Sequence, residues 1–496
     1  MKTAKQKFTR NTTNAFAKIL VGIIFLTTLT FQSNAQTDSI SIEQTIFDRF
    51  GTTYSLQDIL KPTTEQNIYT LTAGFFQITF IDTADHYGFS DTTKIDTTET
   101  GVIRRNIVAQ YFLDQSYLIV PATDPCTGDT PLVEIKVSSI NIAPDTNGAI
   151  PLGAASANYF PCVRDGIIDG EVWKTINTGV SDLPAGSFHG YMFVNFNSAI
   201  KWYYDLQSST VPADSTDMYS MVAHEGFHLL GFTSFIYTNG WSLRSFSNPG
   251  MFSRYDTYLQ YDTIAMIDDS CFHALFDTVN LNPPSNFINS GCDSVNYNGL
   301  HAGIHPVYSP GGYQLGSSLS HFEIDCNGAG STPPYLMNPF LPTGAHRRVP
   351  TLAEVRVLCD LNYETTGVFG DSTLPFHTDT LPICGSRIAG VADGAAGICP
   401  DSTYIVSLCD SITIDDLLNN DENATSFACL EIRKGYGSLN AITNTSFRFT
   451  PSSFGEVILA YIPLDSNGRQ GNATCIYITV TCCEEFSGCP SQSACR

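Results

Sequence analysis

The chain has 496 residues, of which 43 % are hydrophobic, and its 25 basic and 48 acidic side chains give a net charge of −23. Such a charge repels nucleic-acid backbones and anionic membrane surfaces, which excludes both as partners. The length accommodates two or three domains around a sizeable core.

Residues 1–35 read as a secretory signal peptide. Lys2, Lys5, Lys7, Arg10 and Lys18 make a basic start, residues 19–31 are apolar, and Ser33-Asn34-Ala35 offers a small-residue cleavage site. The apolar run is too short for a stable membrane span. Cleavage removes five basic residues and no acidic one, which takes the charge from −23 to −28. All 15 cysteines lie downstream, as expected of a secreted, extracellular chain that forms disulfides. Cys126, Cys162, Cys271, Cys292, Cys326 and Cys359 are the candidates for bridges in the first folded domain.

Residues 36–72 are polar and weakly periodic, in the manner of an N-terminal extension or propeptide. Regular structure begins with a strand at 75–81 (FFQITFI). A helix is predicted over 104–117, with Ile107, Val108, Tyr111 and Phe112 on one face. Strands follow at 133–140 and 189–196, then a helix at 216–230. Residues 231–320 are rich in Gly, Pro, Asn and Ser and read as largely irregular, the kind of long segment that often carries function. A last helix is predicted at 351–361. This order predicts a mixed α+β domain over 73–366. Residues 367–400 read as a linker. Short β-type runs at 404–408, 447–450, 457–461 and 475–480 predict a small all-β sandwich over 401–481. A cysteine-rich tail, 482–496, ends the chain.

The sharpest local signal is His224-Glu225-Gly226-Phe227-His228. Residues four apart on a helix share a face, so both imidazoles reach one metal ion, and Glu225 is placed to act as general base. Ser215 and Thr216 are the expected N-caps, with Asp217 in the first turn and Gly231 ending the helix. The rival reading is a structural helix with two chance histidines. Catalytic zinc sites take three protein ligands and leave one position for water. No Glu lies between His228 and His321. Asp256 sits in a segment that reads as structural, which leaves His273, His301, His305 and His321. His301 and His305 are also four apart, but Gly303 and Pro306 argue against a helix there. His189 reads as structural. Tyr335 and His346 are candidates to stabilise a developing oxyanion.

Residues 224–232 (HEGFHLLGF) resemble the HExxHxxGF start of leishmanolysin-like metallopeptidases and their bacterial relatives. The resemblance spans about 73–366 and implies a metzincin-like catalytic domain. It implies zinc bound by His224, His228 and His321, with Glu225 as base acting on a protein or peptide substrate. It further implies a methionine turn at Met337, within Leu336-Met337-Asn338-Pro339, followed by a helix. The compact metzincin pattern would place a ligand where Ser234 stands, so the third histidine comes from far downstream. By the same analogy, residues 190–196 pair with an extended substrate.

The second module resembles the immunoglobulin- or cadherin-like domains of bacterial surface proteins. The resemblance rests on IDDLLNND at 414–421, Phe447-Arg448-Phe449-Thr450-Pro451 and Asp465-Ser466-Asn467-Gly468. It implies a spacer or adhesive unit that associates with the cell surface, with aspartates as candidate Ca2+ ligands. The reading as a whole is a secreted zinc endopeptidase. Its alternative is an adhesion protein on a degenerate peptidase fold.

Overall fold

Alternation of buried and part-buried residues along 76–81 and 133–140 makes these segments neighbouring strands of a central sheet. The computed structural model describes residues 45–47, 53–55 and 68–482, apart from 83–87, 90–97, 126, 147, 160–165, 182, 185, 245–250, 271–272, 278–294, 311, 324–334, 386 and 394–403. The signal peptide, most of the N-terminal extension and residues 483–496 lie outside the described residues. So do Cys126, Cys162, Cys271, Cys292 and Cys326.

The central sheet has five strands: β1 (Ile68–Ala73), β2 (Phe76–Ile81), β3 (Val133–Ile140), β4 (Gly153–Ala157) and β5 (Gly190–Asn195). Their spatial order is β1-β2-β3-β5-β4. β1 and β2 are antiparallel, β2, β3 and β5 run parallel, and β4 closes the sheet antiparallel to β5. The expectation that 190–196 offers its backbone to a substrate is corrected by this topology. β5 is hydrogen-bonded on both sides, and the strand at the sheet's edge is β4. Sequence reading passed over β4 because Gly153-Ala154-Ala155-Ser156-Ala157 has no apolar alternation.

Among the described residues four α-helices accompany the sheet: α1 (Thr98–Leu118), α2 (Glu171–Thr178), α3 (Met218–Leu229) and α4 (Leu352–Asp360). Tyr111 and Phe112 of α1, Val222 and Phe227 of α3, and Ile78, Phe80, Ile135 and Val137 of the sheet share one core. Burying each such side chain stabilises the fold by roughly 1.5–3 kcal/mol. The short strand Thr45–Phe47 runs close to β4.

The stretch expected to be irregular carries structure of its own. Arg254–Tyr258 forms a 3-10 turn, and Leu259–Tyr261, Ile264–Ala265, Val295–Gly299 and Gly303–Pro306 form an antiparallel sheet. These strands are two to five residues long, too short to show a period. The segment read as a linker packs back on the core as far as residue 393: Phe369, Leu381 and Ala389 are buried in it. Cys384 forms a disulfide with Cys359 of α4, a partner outside the expected set.

Seven further strands make two facing sheets: β6 (Tyr404–Ser407), β7 (Ile412–Ile414), β8 (Ser426–Lys434), β9 (Gly437–Ala441), β10 (Phe447–Pro451), β11 (Gly455–Leu464) and β12 (Thr474–Thr481). Their orders are β6-β12-β11-β8 and β7-β10-β9, around a core that includes Phe447, Phe449, Leu459 and Ile476. Arg254, paired with Asp169 at 2.7 Å, donates to the Gly471 carbonyl at 3.2 Å and so links the sandwich to the first core. The protein is therefore mixed α+β, with a sandwich following the helix-bearing sheet. Among the described residues no helix is long and apolar enough to cross a membrane.

Candidate metal centre

Helix α3 is fixed at both ends before it presents any chemistry. Its N-cap is Asp217, whose carboxylate accepts from the Ser220 backbone N–H at 3.1 Å. The sequence favours Ser215 or Thr216, but the helix begins at Met218, one residue later than a Thr216 cap and two later than a Ser215 cap would start it. The same carboxylate holds the Arg348 guanidinium at 2.6 Å. At the far end Gly231 adopts φ 95°, a left-handed conformation that only glycine takes without strain. Gly226 serves a different purpose. A Cβ there would meet the Tyr111 hydroxyl at 2.1 Å, so the glycine lets α1 and α3 approach closely.

On this helix His224 and His228 stand one turn apart, with ring centroids separated by 4.9 Å. His321 reaches them from a distant turn. Its Nε2 lies 3.1 Å from His224 Nε2 and 3.2 Å from His228 Nε2. Among the described residues this is the one group of three or more His, Cys, Asp or Glu whose ligand atoms converge. Each ring is oriented by a backbone carbonyl. Nδ1 of His224 donates to Leu336 O at 2.8 Å, that of His228 to Phe232 O at 2.7 Å, and that of His321 to Ser317 O at 2.8 Å.

Those three hydrogen bonds decide the protonation. With Nδ1 carrying the proton, each neutral ring turns a bare Nε2 lone pair toward the other two. Burial, and for His224 and His321 also the neighbouring imidazoles, disfavours the charged forms. His224 is pushed down to about 3, His228 to about 4, and His321 well below its ordinary value. Three acceptors at this spacing have no hydrogen to share, so their arrangement suits a cation. A tetrahedral set of nitrogens bonded at zinc distances is separated by about 3.3 Å edge to edge. The observed spacing fits such a donor set.

Glu225 is 6 % exposed, has no hydrogen-bond partner among the described residues, and lines the cleft. Burial pushes its carboxyl up to about 8. A cation among the imidazoles acts in the opposite sense and favours the carboxylate. Beneath the histidines, the turn at 335–338 ties the centre together. Leu336 supplies the carbonyl for His224, and Met337 O accepts from Phe322 N, next to His321, at 2.9 Å. Met337 N–H donates to Glu354 of α4 at 2.6 Å, and the Met337 side chain is fully buried.

A cleft of about 430 Å³ opens over these groups. Its walls include β4, Arg244, Arg347, Asn338 and the three histidines with Glu225. Gly153 of β4 stands directly beside Glu225, since a Cβ there would lie 3.2 Å from Glu225 Cγ.

The other sequence candidates sit elsewhere. His301 lines a separate cavity beside Asp360. His305 donates to or accepts from Tyr335 at 3.3 Å and stacks on Phe322, and neither His305 nor Tyr335 lines the cleft. His346 is exposed and outside the cleft lining. His189 accepts from Glu134 N and contacts Ser181, a structural role. Asp256 is fully buried and accepts from Phe235 N and Ser253 N. The side chain of His273 lies outside the described residues. Sequence reading missed β4, Arg244 and Arg347 as cleft residues, because nothing local marks an isolated arginine as facing a site.

No family model matches the chain and no curated protein does. Among solved structures, the solution structure of the PKD domain from KIAA 1837 protein is similar over 21 % of this chain and 99 % of that chain. The identity is 17 % and the TM-score 0.16, so the likeness carries no argument here.

Proposed function

We propose that this chain is a secreted zinc-dependent endopeptidase of the leishmanolysin-like, metzincin kind. The observation that carries the reading is the convergence of three carbonyl-oriented Nε2 atoms beside an unpartnered glutamate on one helix. His224, His228 and His321 would hold zinc, for which an all-imidazole donor set is well suited. When bound, zinc supplies a Lewis acid that polarises a carbonyl and brings the pKa of water to about 7.

The chain's own groups do the rest. Glu225, which has no hydrogen-bond partner among the described residues, takes a proton from the attacking water and delivers it to the leaving amine. The carbonyls of Leu336, Phe232 and Ser317 keep the imidazoles in the ligating tautomer. β4 presents a strand edge with no partner strand among the described residues on its outer side, to which an extended peptide adds by backbone hydrogen bonds. Met337 supports the centre from below. The sandwich serves as a spacer or surface-associating unit. Export is supported by the character of residues 1–35 and by the Cys359–Cys384 disulfide.

The test is casein cleavage by residues 36–496 with zinc, beside Glu225→Ala prepared identically. The expected result is activity in the parent, loss by at least about a thousandfold in the variant, and equal zinc content in both. A zinc-loaded parent that cleaves nothing, even with its N-terminal segment trimmed, would favour the adhesion reading instead.

A further inference from the structure

We propose that Arg244 is a specificity-determining residue that receives a carboxylate of the substrate, foremost an Asp or Glu side chain of an extended peptide. The inference rests on the endopeptidase reading above and adds a substrate class to it.

The guanidinium of Arg244 packs against two aromatic rings, its Cζ 4.8 Å from the centroid of Tyr159 and 4.9 Å from that of Phe235, which meet each other edge to face at 5.1 Å. One donor reaches Ser156 Oγ of β4 at 3.1 Å. Among the described residues no carboxylate pairs with it. A guanidinium has five N–H donors in a rigid fork, and packing against aromatic rings restrains that fork without using up its donors. A half-buried arginine in this state matches a carboxylate in both charge and shape.

Its position gives the group access to substrate. Arg244 lines the same cleft as His224, Glu225 and His321. Ser156 is three residues along β4 from Gly153, the residue beside Glu225, a separation of about 10 Å in a strand. A peptide laid along β4 would therefore bring a side chain two to four residues from the scissile bond to Arg244.

The charge balance of the cleft points the same way. In a chain of net charge −23 the charged lining residues among those described are Glu225, Arg244 and Arg347. Arg347 is engaged differently: it donates to Phe340 O at 2.8 Å and feels the charge of Glu354. Among the described residues Arg244 has no such acidic neighbour, and burial is what lowers its pKa.

The test uses the zinc-loaded chain and paired fluorogenic peptides that carry Glu or Gln at each of the four positions on either side of the scissile bond. At one position the Glu peptide should show a kcat/KM roughly tenfold or more above its Gln partner. Arg244→Gln should bring that ratio to about one, Arg244→Lys should leave an intermediate ratio, and Arg244→Glu should favour a Lys peptide instead. Zinc content of each variant reports that the fold is intact. A second pair, with free or amidated C-termini at the same distance, separates a side-chain carboxylate from a terminal one. A ratio near one at every position in the parent, or a preference that Arg244→Gln leaves untouched, overturns the proposal.

Equilibrium binding of the same peptides to zinc-loaded Glu225→Ala keeps the two readings apart. Tighter binding of Glu peptides without cleavage by the parent would sink the peptidase reading and leave the carboxylate site standing. Cleavage with no Glu preference would do the reverse, and neither cleavage nor preference would remove both.

Discussion

Asp217 caps the helix that carries His224 and His228 and, with the same carboxylate, grips Arg348 at 2.6 Å. The two side chains are 1 % and 2 % exposed, so the pair is shielded from water. Arg348 also donates to the carbonyls of Asp205, Leu206 and Ser208. One buried arginine thus joins the start of α3 to the chain that precedes it and to the segment that leads into α4.

Removing either partner leaves a buried charge uncompensated, which typically costs about 3–5 kcal/mol. Asp217→Asn keeps a capping oxygen and loses the charge, so most of that cost should remain. Urea denaturation of the two chains checks this, and a change below about 1 kcal/mol would show that the pair does not brace the helix.

His321 and His301 separate the proposed metal set from its rival. His321→Ala should weaken zinc binding by more than the roughly 10–100-fold that follows loss of an outer hydrogen-bond partner. His301→Ala and His305→Ala should leave zinc stoichiometry unchanged, because neither ring faces the centre. Metal analysis after gel filtration distinguishes these outcomes.

Gly226 is sensitive for a reason unrelated to metal. In Gly226→Ala the added Cβ meets the Tyr111 ring and hydroxyl at 2.1–2.3 Å, and overpacking of this kind costs about 1–3 kcal/mol. Tyr111→Leu should recover part of that loss in the double variant. Additive destabilisation in a double-mutant cycle would mean that α1 shifts to accommodate the methyl group.

Near the sandwich, Tyr461 Oη lies 2.9 Å from Asp421 Oδ2 and 3.2 Å from Asp393 Oδ2. Asp393 is pushed up to about 8 and Asp421 to about 7, in both cases chiefly by burial. For Asp393 the negative charges of Asp421 and Asp416 add to the effect. Both folded values exceed the unfolded carboxyl value, so the native state binds the extra protons. The stability they contribute is fully present below about pH 4 and is lost as pH rises through 7 to 8. Denaturation at pH 5, 7 and 9 should show stability declining across that range, and Asp393→Asn should flatten the decline. An unchanged slope in the variant would assign the pH dependence to other groups.

Thr45–Phe47 runs close to β4, where an extended substrate is proposed to lie. A chain beginning at residue 60 should therefore cleave casein faster than one beginning at residue 36. Equal rates would free the N-terminal segment of any inhibitory part.

Much of this was legible in the sequence where period and spacing are strong. The strand at 133–140 alternates cleanly, and His224 and His228 declare their shared face by being four apart. The third histidine of the cluster was not legible in the same way. His321 lies 93 residues beyond His228, and only the resemblance singled it out from three other histidines. β4 escaped notice because its glycine, alanines and serine carry no pattern. The helix cap is Asp217 and not Ser215 or Thr216, and the same carboxylate pairs with Arg348, a partner 131 residues away that no local pattern reveals. The segment after 366 reads as a linker by composition, yet the Cys359–Cys384 disulfide and the burial of Phe369 bind it to the first core. Composition reports what a segment is made of, and tertiary contacts decide where it lies.

The carbonyls that orient the imidazoles also bear on metal exchange. Since Leu336, Phe232 and Ser317 fix the three rings, the geometry is set by the polypeptide and does not depend on the ion that enters. Cobalt(II) should then substitute for zinc without rearranging the chain. Its visible absorption would become a direct optical record of coordination number, readable as inhibitors and peptides arrive in the cleft.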